Sequence, residues 1–450
     1  MKAQTRVLKI FSFGVIASIA VICSLFFAGT QVALAEVAHS AEADGKVTNY
    51  SSVDDALEAG YSGKTIIMDC DWGKSNFEIG KGKNITIDLN GHKLHSFGGT
   101  VMTIREGANV VLTSSKSQDI GVSVYSNKFD DSYTHNETIK TGGVITGGDV
   151  FDSSSTSGAS AFWMDNKSTL TLDNVAVAGN ITYWGDGTIA MHDNCNVYMK
   201  NGASIQGNRY TSFYVAGEDS HIYMDNSSIH DNLANVGAGV HSVAEGTRVY
   251  MTNGSYISNN WGGAICFEKG YSSVESSDNT AVISGNYRRD EGAGVIFEGS
   301  HGGCFGVTLK GNKATKSGGA IIIKGSDNTI KDCTITNNYC GASEEGGGVY
   351  VSAFQDITLK GKVTIKDNTR GEKGSADNLF LDNIWISDAY ILGGVQADSK
   401  VCIRTGCTGE RMIGKNISTY TAGTYFMDLS NSYYVSHGSD HNGDLWQRKL

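Results

Sequence analysis

The chain has 450 residues, among them 57 glycines, nine cysteines and no proline, and its formal net charge is −11. This acidic balance excludes a nucleic-acid-binding role that depends on a basic surface. The hydrophobic fraction of 40% is sufficient for a packed core. Length and composition therefore fit either one large solenoid or two ordinary domains.

Residues 1–35 have the pattern of a secretory signal peptide. Lys2, Arg6 and Lys9 form a positive start, a long apolar stretch follows, and Ala33-Leu34-Ala35 offers a cleavage site. We therefore expect export, with the mature protein secreted or displayed on the cell surface. An uncleaved leader is the alternative, because the apolar stretch is long enough to span a bilayer. The membrane would then be contacted only through this N-terminal segment.

The next two segments precede the regular part of the chain. Residues 36–49 are polar, show no strand pattern and are interpreted as a linker. Residues 50–60 predict one short helix with Ser51 or Ser52 as its N-cap, acidic residues in its first turn and Gly60 at its end. The apolar side of this helix would cover the open end of a stack of strands.

One short phrase, ending in asparagine after an apolar residue, returns along the middle of the chain. Successive copies are 24 to 30 residues apart, which is too regular for independent loops. Asparagine tolerates the left-handed backbone conformation, and its side-chain amide can bond to the backbone or to the next asparagine in a stack. We therefore interpret these residues as a structural ladder at equivalent turns, and they are Asn180, Asn208, Asn232, Asn260, Asn286, Asn312, Asn338 and Asn368.

Glycine-rich phrases such as Gly262-Gly263-Ala264-Ile265 lie about midway between the asparagines and lead into short apolar runs. Each period therefore predicts three short strands separated by turns, and no window has apolar residues at helical spacing. One period cannot bury its apolar face alone. The copies must stack around one shared core.

A resemblance to a known family becomes specific at residues 85–94, ITIDLNGHKL, which follow the SVDDALEAG helix and precede the repeated SGN and GGA phrases. From about residue 53 to 415 the chain resembles the right-handed parallel β-helix proteins of Gram-positive bacterial surfaces, which share the pectate-lyase-like fold. The resemblance implies an all-β, single-stranded right-handed parallel β-helix of about twelve coils of three short strands. It places this β-helix, with its N-terminal cap, at residues 50–395 and a small C-terminal β cap at residues 396–450.

Residues 113–141 interrupt the coils with a polar insertion rich in Ser, Asp and Asn. Such an insertion in a solenoid usually projects from one face and carries function. A disordered loop is the alternative, and the sequence leaves both open.

The implied fold carries lyases, hydrolases, adhesins and plain stalks, so it does not decide the activity. Polygalacturonase-like members place paired carboxylates in motifs that read NTD, DD, GHG and RIK, and this set does not occur here. We expect an adhesin-like or carbohydrate-binding protein without catalysis, whose partner is an extracellular glycan or a host or cell-surface protein. The alternatives are a polysaccharide lyase or glycoside hydrolase acting in a groove along the β-helix, and a passive structural spacer.

Aromatic residues in the middle coils are the candidate ligand-binding residues. Trp184, Tyr210 and Tyr214 are predicted to contact a ligand, because aromatic rings offer flat apolar faces with a polar tip on which sugars stack. Core packing is the alternative role for such residues.

No cofactor is expected from the sequence. Asp165, Asp193 and Asp225 recur near turns that the repeat treats as equivalent, so a calcium ion is an alternative. The chain has no CxxC motif, which argues against zinc.

Eight cysteines follow the leader. Export permits disulfides, and Cys333 with Cys340, or Cys402 with Cys407, are near enough in sequence to pair. Free cysteines packed in the core, Cys266 above all, are the alternative.

Overall fold

The computed structural model describes residues 36–41, 45–74, 76–96, 99–125, 134–147, 160–182, 187–371, 374–382, 390–406, 410–415, 417, 424–427, 433–437 and 444–450. The predicted signal peptide, residues 1–35, lies outside the described residues, as do Trp184 and Cys407.

Three stacks of parallel strands, here called faces A, B and C, run along the chain, and a regular coil contributes one short strand to each. Face A consists of β3 (Thr65–Met68), β6 (Asn84–Asp88), β9 (Asn109–Thr113), β14 (Thr169–Asp173), β17 (Asn196–Lys200), β20 (His221–Asp225), β23 (Arg248–Thr252), β26 (Ser273–Glu275), β30 (Gly303–Phe305), β34 (Asn328–Lys331), β38 (Asp356–Lys360), β42 (Tyr390–Leu392) and β44 (Arg411–Lys415). Face B consists of β4 (Trp72–Gly73), β7 (Lys93–His95), β12 (Val144–Thr146), β15 (Ala176–Ala178), β18 (Ser204–Gln206), β21 (Ser228–His230), β24 (Tyr256–Ser258), β27 (Val282–Ser284), β31 (Thr308–Lys310), β35 (Thr334–Thr336) and β39 (Thr364–Lys366). Face C consists of β5 (Phe77–Ile79), β8 (Met102–Ile104), β13 (Phe162–Met164), β16 (Ile189–Met191), β19 (Phe213–Val215), β22 (Val240–Ser242), β25 (Ile265–Phe267), β29 (Val295–Phe297), β33 (Ile321–Ile323), β37 (Val349–Val351) and β41 (Leu379–Leu381). Faces B and C join at β43 (Lys400–Thr405), which pairs with β39 and β41 and is followed by β45 (Tyr425–Met427).

The predicted fold class is confirmed: the chain forms a right-handed parallel β-helix, with about eleven turns where about twelve were expected. A fourth, short sheet follows the corner between faces B and C and contains β28 (Tyr287–Arg288), β32 (Lys313–Ala314), β36 (Tyr339–Cys340) and β40 (Thr369–Arg370).

Alternation of side chains along the strands produces the core. In β23, Val249 and Met251 are fully buried, whereas Arg248 and Tyr250 point outward. Side chains on a strand alternate between its two faces, so each coil sends one set inward and one set to the surface. The inward sets of successive coils merge into one continuous hydrophobic cluster along the solenoid.

The predicted asparagine ladder occupies the corner after face B. All eight asparagines are fully buried. In each step the Oδ1 of one asparagine accepts hydrogen bonds from the backbone N–H and the Nδ2 of the preceding asparagine, at 2.8 to 3.2 Å. Asn378 extends the ladder by accepting both bonds from Asn368. Buried amides are thereby paired with one another along the solenoid.

The left-handed backbone conformation belongs to the residue before each ladder asparagine and not to the asparagine itself. A positive φ of 54° to 68° occurs at Gly179, Gly207, Asp231, Asn259, Gly285, Gly311, Asn337 and Asp367. These residue types tolerate that conformation best. The two roles expected of the ladder residue, the left-handed turn and the amide bond to the next coil, are therefore divided between neighbouring residues.

The helix predicted to cover the first coil is present as α1 (Val53–Gly60). Ser52 is its N-cap, and the Ser52 Oγ accepts a hydrogen bond from the Asp55 N–H at 3.1 Å. Ala56 and Leu57 are buried, which places the apolar side of the helix on the core. No helix among the described residues is long and apolar enough to cross a membrane.

Residues 36–49 differ from the prediction, because they contain strands where a strand-free linker was expected. β1 (Ala38–Ala41) pairs antiparallel with both β2 (Val47–Tyr50) and β3. The Trp72 Nε1 donates to the Val37 carbonyl at 3.0 Å. The segment therefore covers the first edge of face A. Each of the two strands has four residues, too few for alternation to be recognised in the sequence.

The insertion at residues 113–141 contains an antiparallel hairpin of β10 (Gln118–Tyr125) and β11 (Thr134–Thr141). Its apolar side chains pack on Val144, Ala176 and Ala178 of face B. The Tyr125 N–H donates to the Gly207 carbonyl at 3.0 Å. The described part of the insertion therefore lies on face B, while its tip, residues 126–133, lies outside the described residues.

Antiparallel strands follow the last coil. β47 (Leu445–Lys449) pairs with both β44 and β46 (Tyr433–His437). These strands are β-structure, as expected for the C-terminal β cap at residues 396–450. The boundary of this cap at residue 396 stays a prediction.

We expect Asn260→Ala to lower the free energy of unfolding by about 3 kcal/mol, because it leaves the Asn232 N–H and Nδ2 without the acceptor they now share. Denaturant unfolding measures this change. The control is Asn166→Ala, which alters an exposed asparagine and should change the same free energy by less than about 0.5 kcal/mol. Equal losses in the two variants would contradict a special role for the ladder.

We expect Gly207→Ala to loosen the hairpin. A Cβ at Gly207 would lie 2.6 Å from the Val124 Cβ. Gly202→Ala is the matched control, because Gly202 also has a positive φ but has no atom within 4 Å of the added carbon. Limited trypsin digestion should cleave after Lys140 faster in Gly207→Ala than in Gly202→Ala. The same rate in both would show that the hairpin does not depend on this contact.

Candidate functional site

Three tyrosines form a stack on the outer surface of face A. Tyr198, Tyr223 and Tyr250 occupy the same register position on β17, β20 and β23. Their ring centroids are 4.6 and 4.9 Å apart and the planes differ by 7° and 11°. The rings therefore cover one another, so within the stack only ring edges and hydroxyls face solvent. Open ring faces exist only at the two ends.

One end of this stack borders a cleft of about 380 Å³, here called the face A cleft. The residue that follows Tyr250 in register is Glu275, so no further tyrosine covers the stack on that side. A Cβ at Gly303 would lie 2.6 Å from the Phe305 Cζ. The missing side chain at Gly303 therefore allows the Phe305 ring to lie over its own strand, as one wall of the cleft.

The rim of the cleft carries a second aromatic pair. Tyr271 and His301 occupy turns on successive coils, and their rings stack at 4.9 Å with planes 24° apart. Both residues have positive φ, 58° and 61°. Tyr271 is also 57% exposed. A bulky residue in the left-handed region costs of order 1 kcal/mol, and such strain clusters at functional sites.

Polar groups complete the lining of the cleft. Arg248 is exposed and lies two residues before Tyr250 on the same strand. The Ser273 Oγ donates to the Glu275 Oε1 at 2.5 Å. The His301 Nδ1 lies 3.4 Å from the Asp327 carboxylate. The cleft thus combines aromatic rings with one guanidinium, one carboxylate and one imidazole, an arrangement that can stack on a ring and hydrogen-bond its hydroxyls.

The stack also changes the acidity of its central phenol. Burial raises the pKa of Tyr223 above its ordinary value, and the neighbouring phenols of Tyr198 and Tyr250 raise it further. The physical cause is that a phenolate would be poorly solvated there and would repel its neighbours once they ionise.

A larger cleft, of about 640 Å³, lies between the hairpin and face B. It is lined by Lys93, Ser123, Asn136 and the hairpin backbone, with Tyr125 as its one aromatic residue among the described lining. The face A cleft is smaller but holds three aromatic walls, Tyr250, Tyr271 and Phe305. Aromatic surface, more than volume, distinguishes sites that take sugar rings, so the face A cleft is the better candidate.

The structure describes two of the three predicted ligand residues, Tyr210 and Tyr214. Tyr214 lies at the centre of β19 on face C, with its ring centroid 5.7 Å from that of His241 on the next coil and the two rings in an edge-to-face arrangement. Tyr210 lies in the preceding turn, with the Arg209 guanidinium 5.8 Å from its ring centre. Trp184 lies outside the described residues. Ligand contact at these three residues stays a prediction.

The acids considered for calcium do not share one position. Asp165 pairs with Arg105 at 3.3 Å, and Asp193 accepts a hydrogen bond from the Glu218 N–H at 3.0 Å. Asp225 lies at the end of β20 on face A, where it is in register with Lys200. Among the described residues, no group of three or more His, Cys, Asp or Glu side chains is placed to hold a metal ion.

The tyrosine stack was missed by the sequence argument although its signal is present. The phrases NVYMK, HIYMD and RVYMT carry tyrosine at the same outward position of three consecutive repeats. Equivalent positions in a parallel β-helix stack at the strand spacing, so a repeated tyrosine there predicts a ring stack.

No protein-family model, curated protein or solved structure matches the chain.

A titration tests the tyrosine stack. The alkaline absorbance of the parent protein minus that of Tyr223→Phe reports the phenolate of Tyr223. In the folded protein we expect this phenolate to form with a midpoint above the ordinary tyrosine pKa of about 10. Because the folded-state pKa is raised, this group makes the folded state less stable as pH rises above about 10. Absorbance at alkaline pH, recorded for both proteins, gives the difference curve. A midpoint at or below the ordinary value would contradict the stacked, part-buried environment.

Proposed function

We propose that the chain is an exported β-helix protein, secreted or displayed on the cell surface, that binds extracellular glycans without catalysis through the face A cleft. The observation that carries this proposal is the set of aromatic walls at the end of the tyrosine stack, formed by Tyr250, Tyr271 and Phe305. Flat apolar ring faces beside hydrogen-bonding groups suit sugar rings, which are apolar on their faces and polar at their edges.

The size and rigidity of the cleft support a sugar as the ligand. Its volume of about 380 Å³ lies in the range of small-molecule sites. Its aromatic residues are held by strands and tight turns, so little conformational freedom is lost on binding. The acidic chain and its leader pattern add support for an extracellular partner over a nucleic acid.

A binding role without catalysis is supported by the number of carboxylates that line the cleft. Retaining and inverting glycosidases use two carboxylates on either side of the scissile bond. Among the described residues that line the cleft, Glu275 is the only carboxylate, and it is hydrogen-bonded to Ser273. The resemblance to surface β-helix proteins of Gram-positive bacteria, carried by residues 85–94 and the repeats, supports an adhesin-like role.

We expect Tyr271→Gly to weaken glycan binding by about tenfold, because it removes one stacking ring. Glycine relieves the positive φ at this position, so the free energy of unfolding should not fall. Phe354→Gly is the matched control, since Phe354 is also aromatic, 63% exposed and at positive φ, but does not line the cleft. A glycan array identifies the ligand, and titration calorimetry with the parent and both variants measures affinity.

Four outcomes would contradict the proposal. Array binding that both variants retain would place the site elsewhere, and binding lost equally in both would mean that the cleft is not the determinant. Absence of signal from every glycan would favour a structural spacer. New reducing ends or unsaturated products after incubation with the bound glycan would show an enzyme.

A further inference from the structure

Two thiols from successive coils meet inside the core. Cys304 lies at the centre of β30, and Cys333 lies in the turn between β34 and β35 of the next coil. Both side chains are fully buried in the main hydrophobic cluster. The Cys333 Sγ lies 3.3 Å from the Cys304 carbonyl oxygen, so the two residues are in direct contact.

The register explains why these two residues meet. Cys304 pairs with Ile330 across face A, and Cys333 follows Ile330 after the tight turn at Asp332. Asp332 has a φ of 55°, and this turn directs the next inward side chain back toward the preceding coil. The contact therefore follows from the stacking of coils and could not be read from sequence spacing, since the residues are 29 positions apart.

The other described cysteines have different surroundings. Cys195 lies against Ser168, with its Sγ 3.5 Å from the Ser168 Oγ. Cys266 packs with Ile296 and Ile322 on the outer side of face C. Cys340, which the sequence offered as a partner for Cys333, lies on β36 in the short sheet. Among the described cysteines, the following are free thiols in this structure: Cys70, Cys195, Cys266, Cys304, Cys333 and Cys340.

We propose that Cys304 and Cys333 are a modification site, and that they form a disulfide between successive coils when the protein folds in an oxidising compartment. This proposal depends on the export part of the proposed function and not on glycan binding. The reaction is thiol–disulfide exchange. The thiolate of one cysteine attacks a small-molecule disulfide and releases one thiolate of the reagent. The thiolate of the second cysteine then attacks the protein sulfur of the resulting mixed disulfide and releases the other reagent thiolate. One S–S bond forms in the protein, while the reagent is reduced to two thiols that take up the two protons.

Folding must be the stage at which this bond forms. The hydrogen bond with Cys333 and burial raise the pKa of the Cys304 thiol well above its ordinary value. The thiolate is the reactive species, and a buried thiol with a raised pKa is inert. Oxidant added to the already folded, reduced protein should therefore leave the pair unchanged, whereas oxidant present during refolding should cross-link it.

The cross-link would fasten one coil to the next across the core. It closes a loop of 29 residues, which reduces the freedom of the unfolded chain. A solenoid depends on nearest-neighbour contacts between coils, so a covalent link between two coils strengthens one of these interfaces directly.

Refolding the full chain with glutathione disulfide tests the proposal. After alkylation of free thiols, trypsin places Cys304 in peptide 290–310 and Cys333, together with Cys340, in peptide 332–360. We expect these two peptides to be joined, with fragmentation assigning the bond to Cys333. A Cys340→Ala variant should give the same cross-link. Reduction should lower Tm by about 4 °C in the parent protein, with no such shift in Cys304→Ala.

Cys195→Ala is the control, since it removes a buried thiol outside the pair and should keep both the cross-link and the reduction-dependent Tm shift. Recovery of Cys304 and Cys333 as alkylated thiols after oxidative refolding would overturn the proposal. So would a cross-link between Cys333 and Cys340. The peptide analysis of the parent protein decides the matter even if a variant fails to fold.

Discussion

The hydrogen bonds between buried asparagines are the constraint on which the rest of this structure depends. From Asn208 to Asn368, each ladder oxygen accepts from both the backbone and the side chain of the asparagine on the preceding coil. A coil displaced by one residue would bury these amides without partners, at a cost of about 1 to 3 kcal/mol for each group. The ladder thus opposes slippage at the corner between faces B and C.

Register at this corner determines what the outer surface presents. Since equivalent residues align from coil to coil, Tyr198, Tyr223 and Tyr250 become a single stack on face A. The stack ends where the repeat places Glu275 and then Phe305 in the same column. The face A cleft therefore forms because the residue type changes within a regular column of side chains. No inserted loop is needed to build it. The same alignment brings Cys304 and Cys333 together inside the core.

The architecture could be predicted because it follows from periodicity. Repeated asparagines, glycine-rich turns and alternating apolar residues predict three strands per coil, and the helix signals predicted α1. The contacts between surface residues on different coils could not be predicted in the same way. Asp193 and Asp225 recur near similar turns in the sequence, and the register places Asp225 beside Lys200. The strands at residues 36–49 are too short to show alternation, and the Cys304–Cys333 contact joins residues whose proximity exists only after the coils stack.

The backbone amides of the ladder asparagines test this account most directly. Each of these N–H groups donates to the side-chain oxygen of the next asparagine inside a fully buried corner. Native-state hydrogen exchange of Asn208, Asn232 and Asn260, resolved by residue, should show protection equal to that of the central strands of the three faces. Exchange as fast as that of exposed turn residues such as Asn166 would contradict the claim that the ladder holds the coils in register.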